Sequence, residues 1–163
     1  MSEVYLALGS NLGNSIANIE QAIHLLKKHL HTVTRANLYS SKAVGYTDQP
    51  DFRNTAIKAR TDLTPMELLE FIKSVEQEVG RISRFRWGPR EIDIDIILYD
   101  ILILDSDVLK IPHPEYLKRD FVIQPLMDIN PKLYDPRSKI LLSKILHDLA
   151  ANQKSNLRLV DVD

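Results

Sequence analysis

The sequence predicts an α+β fold: a ferredoxin-like βαββαβ core, an antiparallel sheet with helices packed on one face, plus a C-terminal hairpin and helix extension. Three observations carry that expectation. Four short stretches have the length and residue types of strands, two longer stretches repeat apolar residues at helical spacing, and their order is strand, helix, strand, strand, helix, strand. The 163 residues are 44% hydrophobic and 26% charged. That is the size and composition of one globular domain, so residues 1–163 are read as a single domain that buries a core without staples.

Val4 to Leu8 is an apolar run closed by Gly9, too short for a helix and read as a buried strand. Gly9 and Gly13 are read as turn residues that let the chain leave the strand and enter the helix. Ile16, Ile19, Ile23, Leu26 and Leu30 then recur at helical spacing, with Asn14 or Ser15 placed to cap the first turn. Thr32 to Ser41, rich in β-branched and aromatic residues, is expected as the second strand and Phe52 to Arg60 as the third. Thr64, Pro65 and Glu67 supply an N-cap, a first-turn proline and a capping-box acid for a second helix that ends at Gly80. Ile92 to Tyr99, in which isoleucines alternate with Glu91, Asp93 and Asp95, is the fourth strand. Beyond it lie a hairpin around Asp105 to Asp107, a proline-rich stretch from Pro112 to Pro125 and a late helix from Ile140 to Ala150.

Composition narrows the function classes. The chain has no cysteine, which removes disulfides, thiolate metal sites and thiol nucleophiles. A net charge of −1 gives no general attraction to nucleic acid, although a local basic site for a small polyanion remains open. Neither a signal peptide nor a membrane-length apolar run is visible, so a cytoplasmic protein is expected.

The densest chemistry lies in Arg86-Trp87-Gly88-Pro89-Arg90-Glu91-Ile92-Asp93-Ile94-Asp95-Ile96-Ile97. Residues two apart on a strand share a face, with Cα atoms roughly 6.5 to 7 Å apart, so Asp93 and Asp95 can converge on hard cations such as Mg²⁺. On spacing alone, a half-buried strand with a solvated acidic face is the commoner outcome. Arg81, Arg84, Arg86 and Arg90 shift that balance, because guanidinium groups beside carboxylates suit a site that neutralises a polyphosphate; surface ion pairing is the competing reading. Trp87 fits a core position better than a nucleotide pocket. His113 and Arg119, six apart, read either as a second phosphate clamp or as ordinary surface and structural residues. Phe52 and Asn54 share one side of the third strand, an arrangement that suits a flat heterocycle and equally suits cross-strand packing. The glycine loop has neither the P-loop ending nor the dinucleotide spacing.

Together these residues resemble the 6-hydroxymethyl-7,8-dihydropterin pyrophosphokinase family, and the resemblance runs through nearly the whole chain. Arg86-Trp87-Gly88-Pro89-Arg90 followed by Asp93-Ile94-Asp95-Ile96-Ile97 is similar to the family signature. Further matches are Ala7-Leu8-Gly9-Ser10-Asn11-Leu12-Gly13, Asp48-Gln49-Pro50-Asp51-Phe52-Arg53-Asn54, Glu76 before Gly80-Arg81, and Ile111-Pro112-His113-Pro114 before Arg119 and Phe121. The resemblance implies transfer of the terminal diphosphate of ATP to the hydroxymethyl group of the dihydropterin, with two Mg²⁺ ions on Asp93 and Asp95. It implies that Arg81, Arg90, His113 and Arg119 meet phosphate charge. Glu76, Arg84, Trp87, Ile96 and Lys110 would border the nucleotide. Phe52 and Phe121 would sandwich the pterin ring, with Asn54, Ser41 and Val44 at its edge and Trp87 and Asp93 nearby. The loops 42–51 and 83–86 would close over ATP, and a monomer is the family-level expectation.

Two departures stand out. Lys42-Ala43 occupies a place where the family commonly has proline after the residue equivalent to Ser41, and the short arginine loop leaves the separate roles of Arg84 and Arg86 unassigned. A base-stacking RNA-binding module is disfavoured by the near-neutral charge and the paired aspartates. A Mg²⁺-dependent phosphatase or nuclease would use the same carboxylates but release phosphate without labelling a pterin.

Overall fold

The computed structural model describes residues 1–42, 48–81, 88–152 and 157–160. In chain order the elements are β1 (Ser2–Ser10), α1 (Ser15–Leu26), β2 (His31–Arg35), β3 (Tyr39–Ser41), β4 (Phe52–Thr61), α2 (Pro65–Val79), β5 (Asp93–Tyr99), β6 (Leu104–Asp105), β7 (Lys110–Ile111), a 3₁₀ turn (Tyr116–Lys118), α3 (Asp120–Ile129), α4 (Leu142–Asn152) and β8 (Arg158–Leu159). The main sheet runs β5-β1-β4-β3-β8, with β2 also on β4, and its pairs are antiparallel. Strands β6 and β7 form the expected hairpin.

Strand β1 lies inside the sheet between β5 and β4, and every residue from Val4 to Ser10 is buried. An unbroken buried run means that both faces of the strand are covered. Val4, Leu6 and Leu8 join one core with Ile19, Ile23, Leu26, Leu68 and Ile72 of α1 and α2. Tyr5 and Ala7 point the other way into a second core with Val122, Ile123 and Leu126 of α3 and Leu142 at the start of α4. The helices therefore cover two faces of the sheet and not one. Helix α3 was hidden by Pro125 at its sixth position, where the missing N–H forfeits the bond to the Phe121 carbonyl. Burial of Val122, Ile123, Pro125 and Leu126 outweighs that loss, each large apolar side chain contributing about 1.5–3 kcal/mol.

The expected second strand is broken into β2 and β3. Arg35 lies opposite Ile57 and Tyr39 opposite Asn54, so one strand spends an extra residue between the two pairings, as at a bulge. Thr55 fills the break, its hydroxyl donating toward the Ala36 and Asn37 carbonyls. Helix α1 ends at Leu26, one turn before the expected Leu30, which is still buried.

Helix α2 forms as its sequence predicts. The Thr64 hydroxyl accepts from the Glu67 N–H while Glu67 accepts from the Thr64 N–H, and Gly80 closes the helix at φ 109°. The left-handed turn at Gly80 suits a residue without a β-carbon, and it brings the Arg81 N–H back to the Glu76 carbonyl. Among the described residues, no helix is long and apolar enough to cross a membrane.

Candidate active site

The α3 face of the sheet is apolar along only part of its length. Tyr5, Ala7, Ala56 and Ile97 belong to the core with α3, while Gly9, Asn54, Asp93 and Asp95 continue the same face into an open cleft. Register accounts for the placement: Gly9 pairs with Asp93 on one side and Asn54 on the other, and Ala7 pairs with Asp95 and Ala56. The cleft encloses about 860 Å³, open solvent included, and its walls carry Ser41, Lys42, Phe52, Arg81, Gly88, Arg90, Arg119 and Phe121.

Gly9 is not the turn residue expected. It lies inside β1, and a β-carbon there would sit 3.1 Å from Asn54 Oδ1 and 3.5 Å from the Phe52 ring. Its role is to clear space for those two side chains, the reading that a glycine inside a strand invites. Gly13, at φ 71°, is the turn residue. Asn54 is buried and donates through Nδ2 to Ser41 Oγ at 2.6 Å.

Arg81 Nη1 lies 2.8 Å from Glu76 Oε2 and 3.4 Å from Asp93 Oδ1. The same Glu76 oxygen accepts the Ile94 N–H at 3.0 Å. Glu76 is buried and ties Arg81 to the start of β5. Burial raises the pKa of its carboxyl, against the Ile94 N–H and Arg81. Arg90 Nη1 donates to the Gly88 and Pro89 carbonyls.

Asp93 and Asp95 retain 41% and 33% of their side-chain exposure, directed into the cleft. Burial, then the charge of Asp95, pushes Asp93 up to about 6, offset by Arg81, Arg90 and Arg119. Burial likewise pushes Asp95 up to about 6 against Arg119. His113 Nε2 is 4.0 Å from Asp95 Oδ2, and His113 Nδ1 accepts the Glu115 N–H at 3.1 Å. That bond assigns the ring proton to Nε2. Burial, with Arg119, presses His113 down to about 4, so in the ligand-free cleft its ring is neutral at neutral pH.

Arg119 caps the start of α3 and its guanidinium lies 5.9 Å from the centroid of the Phe121 ring. Phe52 and Phe121 both line the cleft. Lys110 lies apart from it, ion-paired with Asp105 at 3.0 Å on the β6–β7 hairpin, and lines a second cavity with His113. The Ile96 side chain is in the core against α1 and α2, which leaves only its backbone for a ligand. Val44, Arg84, Arg86 and Trp87 lie outside the described residues.

Asn11 ties the site's borders together. Its Nδ2 donates to Gln49 Oε1 and the Pro50 carbonyl, its Oδ1 accepts the Arg90 N–H, and its own N–H donates to the Arg90 carbonyl. The asparagine thus joins the end of β1, the approach to Phe52 and the approach to Asp93.

Among the described residues, no group of three or more His, Asp or Glu is arranged to hold a metal. Two oxygen ligands nonetheless suit Mg²⁺, which commonly takes one or two carboxylates and completes its shell with water and phosphate oxygens. Two neighbouring carboxylates with raised proton affinity, facing one cleft, gain from a cation.

A profile of the 7,8-dihydro-6-hydroxymethylpterin-pyrophosphokinase family matches residues 5–131. The chain is 49% identical over 136 residues to 2-amino-4-hydroxy-6-hydroxymethyldihydropteridine pyrophosphokinase of Aquifex aeolicus, covering 83% of this chain and 85% of that protein. It is 39% identical over 143 residues to the protein of the same name from Haemophilus influenzae, covering 86% and 89%. Against the Dictyostelium discoideum folic acid synthesis protein, 45% identity covers 87% of this chain but 22% of the larger protein. Wild-type Plasmodium falciparum HPPK-DHPS shares the fold at a TM-score of 0.78 and 16% identity, covering 99% of this chain and 48% of the solved one.

Proposed function

The chain belongs to the 7,8-dihydro-6-hydroxymethylpterin-pyrophosphokinase family, and from that premise we propose how its cleft serves the family reaction. That reaction transfers the pyrophosphoryl group of ATP to hydroxymethyldihydropterin in folate biosynthesis. The observation that carries the assignment of roles is the meeting, in one cleft, of Asp93 and Asp95 with Arg81, Arg90 and Arg119 and with Phe52, Phe121 and Asn54.

The aromatic pair receives the flat pterin ring, and Asn54, held by Ser41, reads its edge. This seats the hydroxymethyl oxygen toward Asp93 and Asp95. The triphosphate lies along the arginines: Arg81 is aimed by Glu76, and Arg119 stands at the start of α3 next to His113, which donates from Nε2. Transfer of this kind depends on positioning and charge stabilisation more than on covalent chemistry. The hydroxymethyl oxygen attacks the β-phosphorus in line and AMP leaves. No side chain among the described residues is assigned as a general base.

Asp93 and Asp95 would hold two Mg²⁺ ions, which when bound screen phosphate charge. Glu76 is a positioning residue for Arg81. Lys110 and the Ile96 backbone remain on the nucleotide side only if ATP extends past His113 toward the hairpin. The loops 42–51 and 83–86, with Val44, Arg84 and Trp87, complete the proposed pterin and nucleotide contacts.

The order of the four long pairing positions, β5, β1, β4 and then β2 with β3, supports the ferredoxin-like reading of the core. Residues 1–163 are taken as one pyrophosphokinase domain that acts as a cytoplasmic monomer and binds neither nucleic acid nor membrane.

Mass spectrometry of products from ATP and 6-hydroxymethyl-7,8-dihydropterin, with and without Mg²⁺, tests this function. Equal amounts of AMP and pterin diphosphate, formed only with the metal, are expected. ADP or free phosphate as the product would replace the proposal with a kinase or hydrolase.

A further inference from the structure

Between His113 and Arg119 the chain makes one tight turn, and its buried anchor is Tyr116, 2% exposed. The Tyr116 N–H donates to the His113 carbonyl and its own carbonyl accepts the Arg119 N–H. Its hydroxyl donates to Asp135 Oδ1. Asp135 is also 2% exposed, and its second oxygen accepts the Ser138 N–H at 2.7 Å. The carboxylate is fixed in turn by backbone: the Asp135 N–H donates to the Ile140 carbonyl, the Asp135 carbonyl accepts the Lys139 N–H, and Tyr134 bridges to Leu141. Asp135 lies beyond the residues matched by the family profile, which end at 131.

We propose that Tyr116 and Asp135 are positioning residues for ATP: their buried hydrogen bond pins the turn that carries His113 at one end and Arg119 at the other, and so presets the separation of two phosphate-binding groups. The inference rests on the reading that His113 and Arg119 meet the triphosphate.

The chemistry suits a fixed mount. A phenol and a carboxylate, both dehydrated, bond more strongly than a neutral pair, and each is costly to leave without its partner. Asp135 stays below the ordinary carboxylate range: burial alone would raise it, but the Tyr116 hydroxyl, the Ser138 N–H and Arg137 outweigh burial. The pair therefore keeps its ionic character at neutral pH. An apolar contact at the same place would fill space without fixing the turn's rotation. The pair adds to the turn's backbone ties, in which the His113 N–H donates to the Ile97 carbonyl of β5 at one end and the Arg119 carbonyl accepts the Val122 and Ile123 N–H groups of α3 at the other.

The test measures calorimetric affinity for a non-hydrolysable ATP analogue with Mg²⁺, together with steady-state KM for each substrate at saturation of the other. For Tyr116→Phe the expected result is about tenfold weaker analogue binding and a matching rise in the KM for ATP, with the KM for the pterin unchanged within about twofold. Asp135→Asn, which keeps an oxygen for the phenol, should fall between wild type and Tyr116→Phe. Unchanged ATP affinity in Tyr116→Phe, or equal weakening toward both substrates, would overturn the proposal by reducing the pair to a general stabiliser. If Tyr116→Phe does not fold, Asp135→Asn is judged by the same split. Arg119→Ala separates the two levels of inference: if it leaves analogue affinity intact, the phosphate-clamp reading fails and the positioning role falls with it. If it weakens affinity while Tyr116→Phe does not, only the positioning role fails.

Discussion

The two faces of the sheet differ in how far their apolar character extends. Toward α1 and α2 the side chains of Val4, Leu6, Leu8, Ile94 and Ile96 remain in one core up to the ends of their strands. Toward α3 the core stops at Ala7, Ala56 and Ile97, and the next positions are Gly9, Asn54, Asp93 and Asp95 in the cleft. Because a strand alternates its side chains, β5 turns Ile94 and Ile96 into the core and Asp93 and Asp95 into the cleft at consecutive residues. Substitutions at adjacent positions should therefore separate stability from activity.

The largest separation is expected at Asp95. Asp95→Ala should lower kcat/KM by about 10²- to 10³-fold, the scale for losing a group that stabilises transferring charge, while circular dichroism shows a native fold no less stable to heat than wild type. Its neighbour Ile96 should show the opposite. Ile96→Ala is expected to cost about 2–5 kcal/mol in chemical denaturation, with activity per folded molecule close to wild type at low temperature. A comparable loss of activity in both variants would erase the distinction between the faces.

Gly9 lies where the apolar and polar parts of the α3 face meet. Gly9→Ala puts a methyl against Asn54 and Phe52, and steady-state kinetics should show a rise of about tenfold in the KM for the pterin with the KM for ATP little changed. The smallest effect concerns metal-free stability. Asp93 titrates near 6 in the folded chain, above the ordinary carboxylate value, so its burial progressively destabilises the fold as pH rises from about 4 to about 6. Asp93→Asn should flatten that fall, giving a higher melting temperature than wild type above pH 6 without metal and little difference below pH 4. Added Mg²⁺ with nucleotide should stabilise wild type more than the variant.

Much of this division is legible in the sequence, and what is missed has physical causes. The alternation around Asp93 and Asp95 and the capping box at Thr64 are local patterns, and both appear in the structure where they were expected. Helix α3 was not foreseen, because Pro125 reads as a breaker while the burial that overrides it comes from distant strands. The split between β2 and β3 depends on an extra residue relative to β4, which no window along one strand reveals. For the site, the sequence names residues but not their protonation or partners. His113 is neutral because of burial and Arg119, Glu76 is occupied by Arg81 and Ile94, and Ile96 faces the core. Gly9 could have been found from its place inside an apolar strand. Asn11, whose partners are at 49, 50 and 90, carries no local signal of its role.

The floor of the cleft as a metal site is tested most directly by Mn²⁺ paramagnetic resonance, titrating the ion in the presence of a non-hydrolysable ATP analogue and pterin. Two bound ions per wild-type chain are predicted, falling to those held by nucleotide alone in Asp93→Asn/Asp95→Asn. Equal stoichiometry and affinity in the two proteins would show that the carboxylates of β5 do not hold the metal.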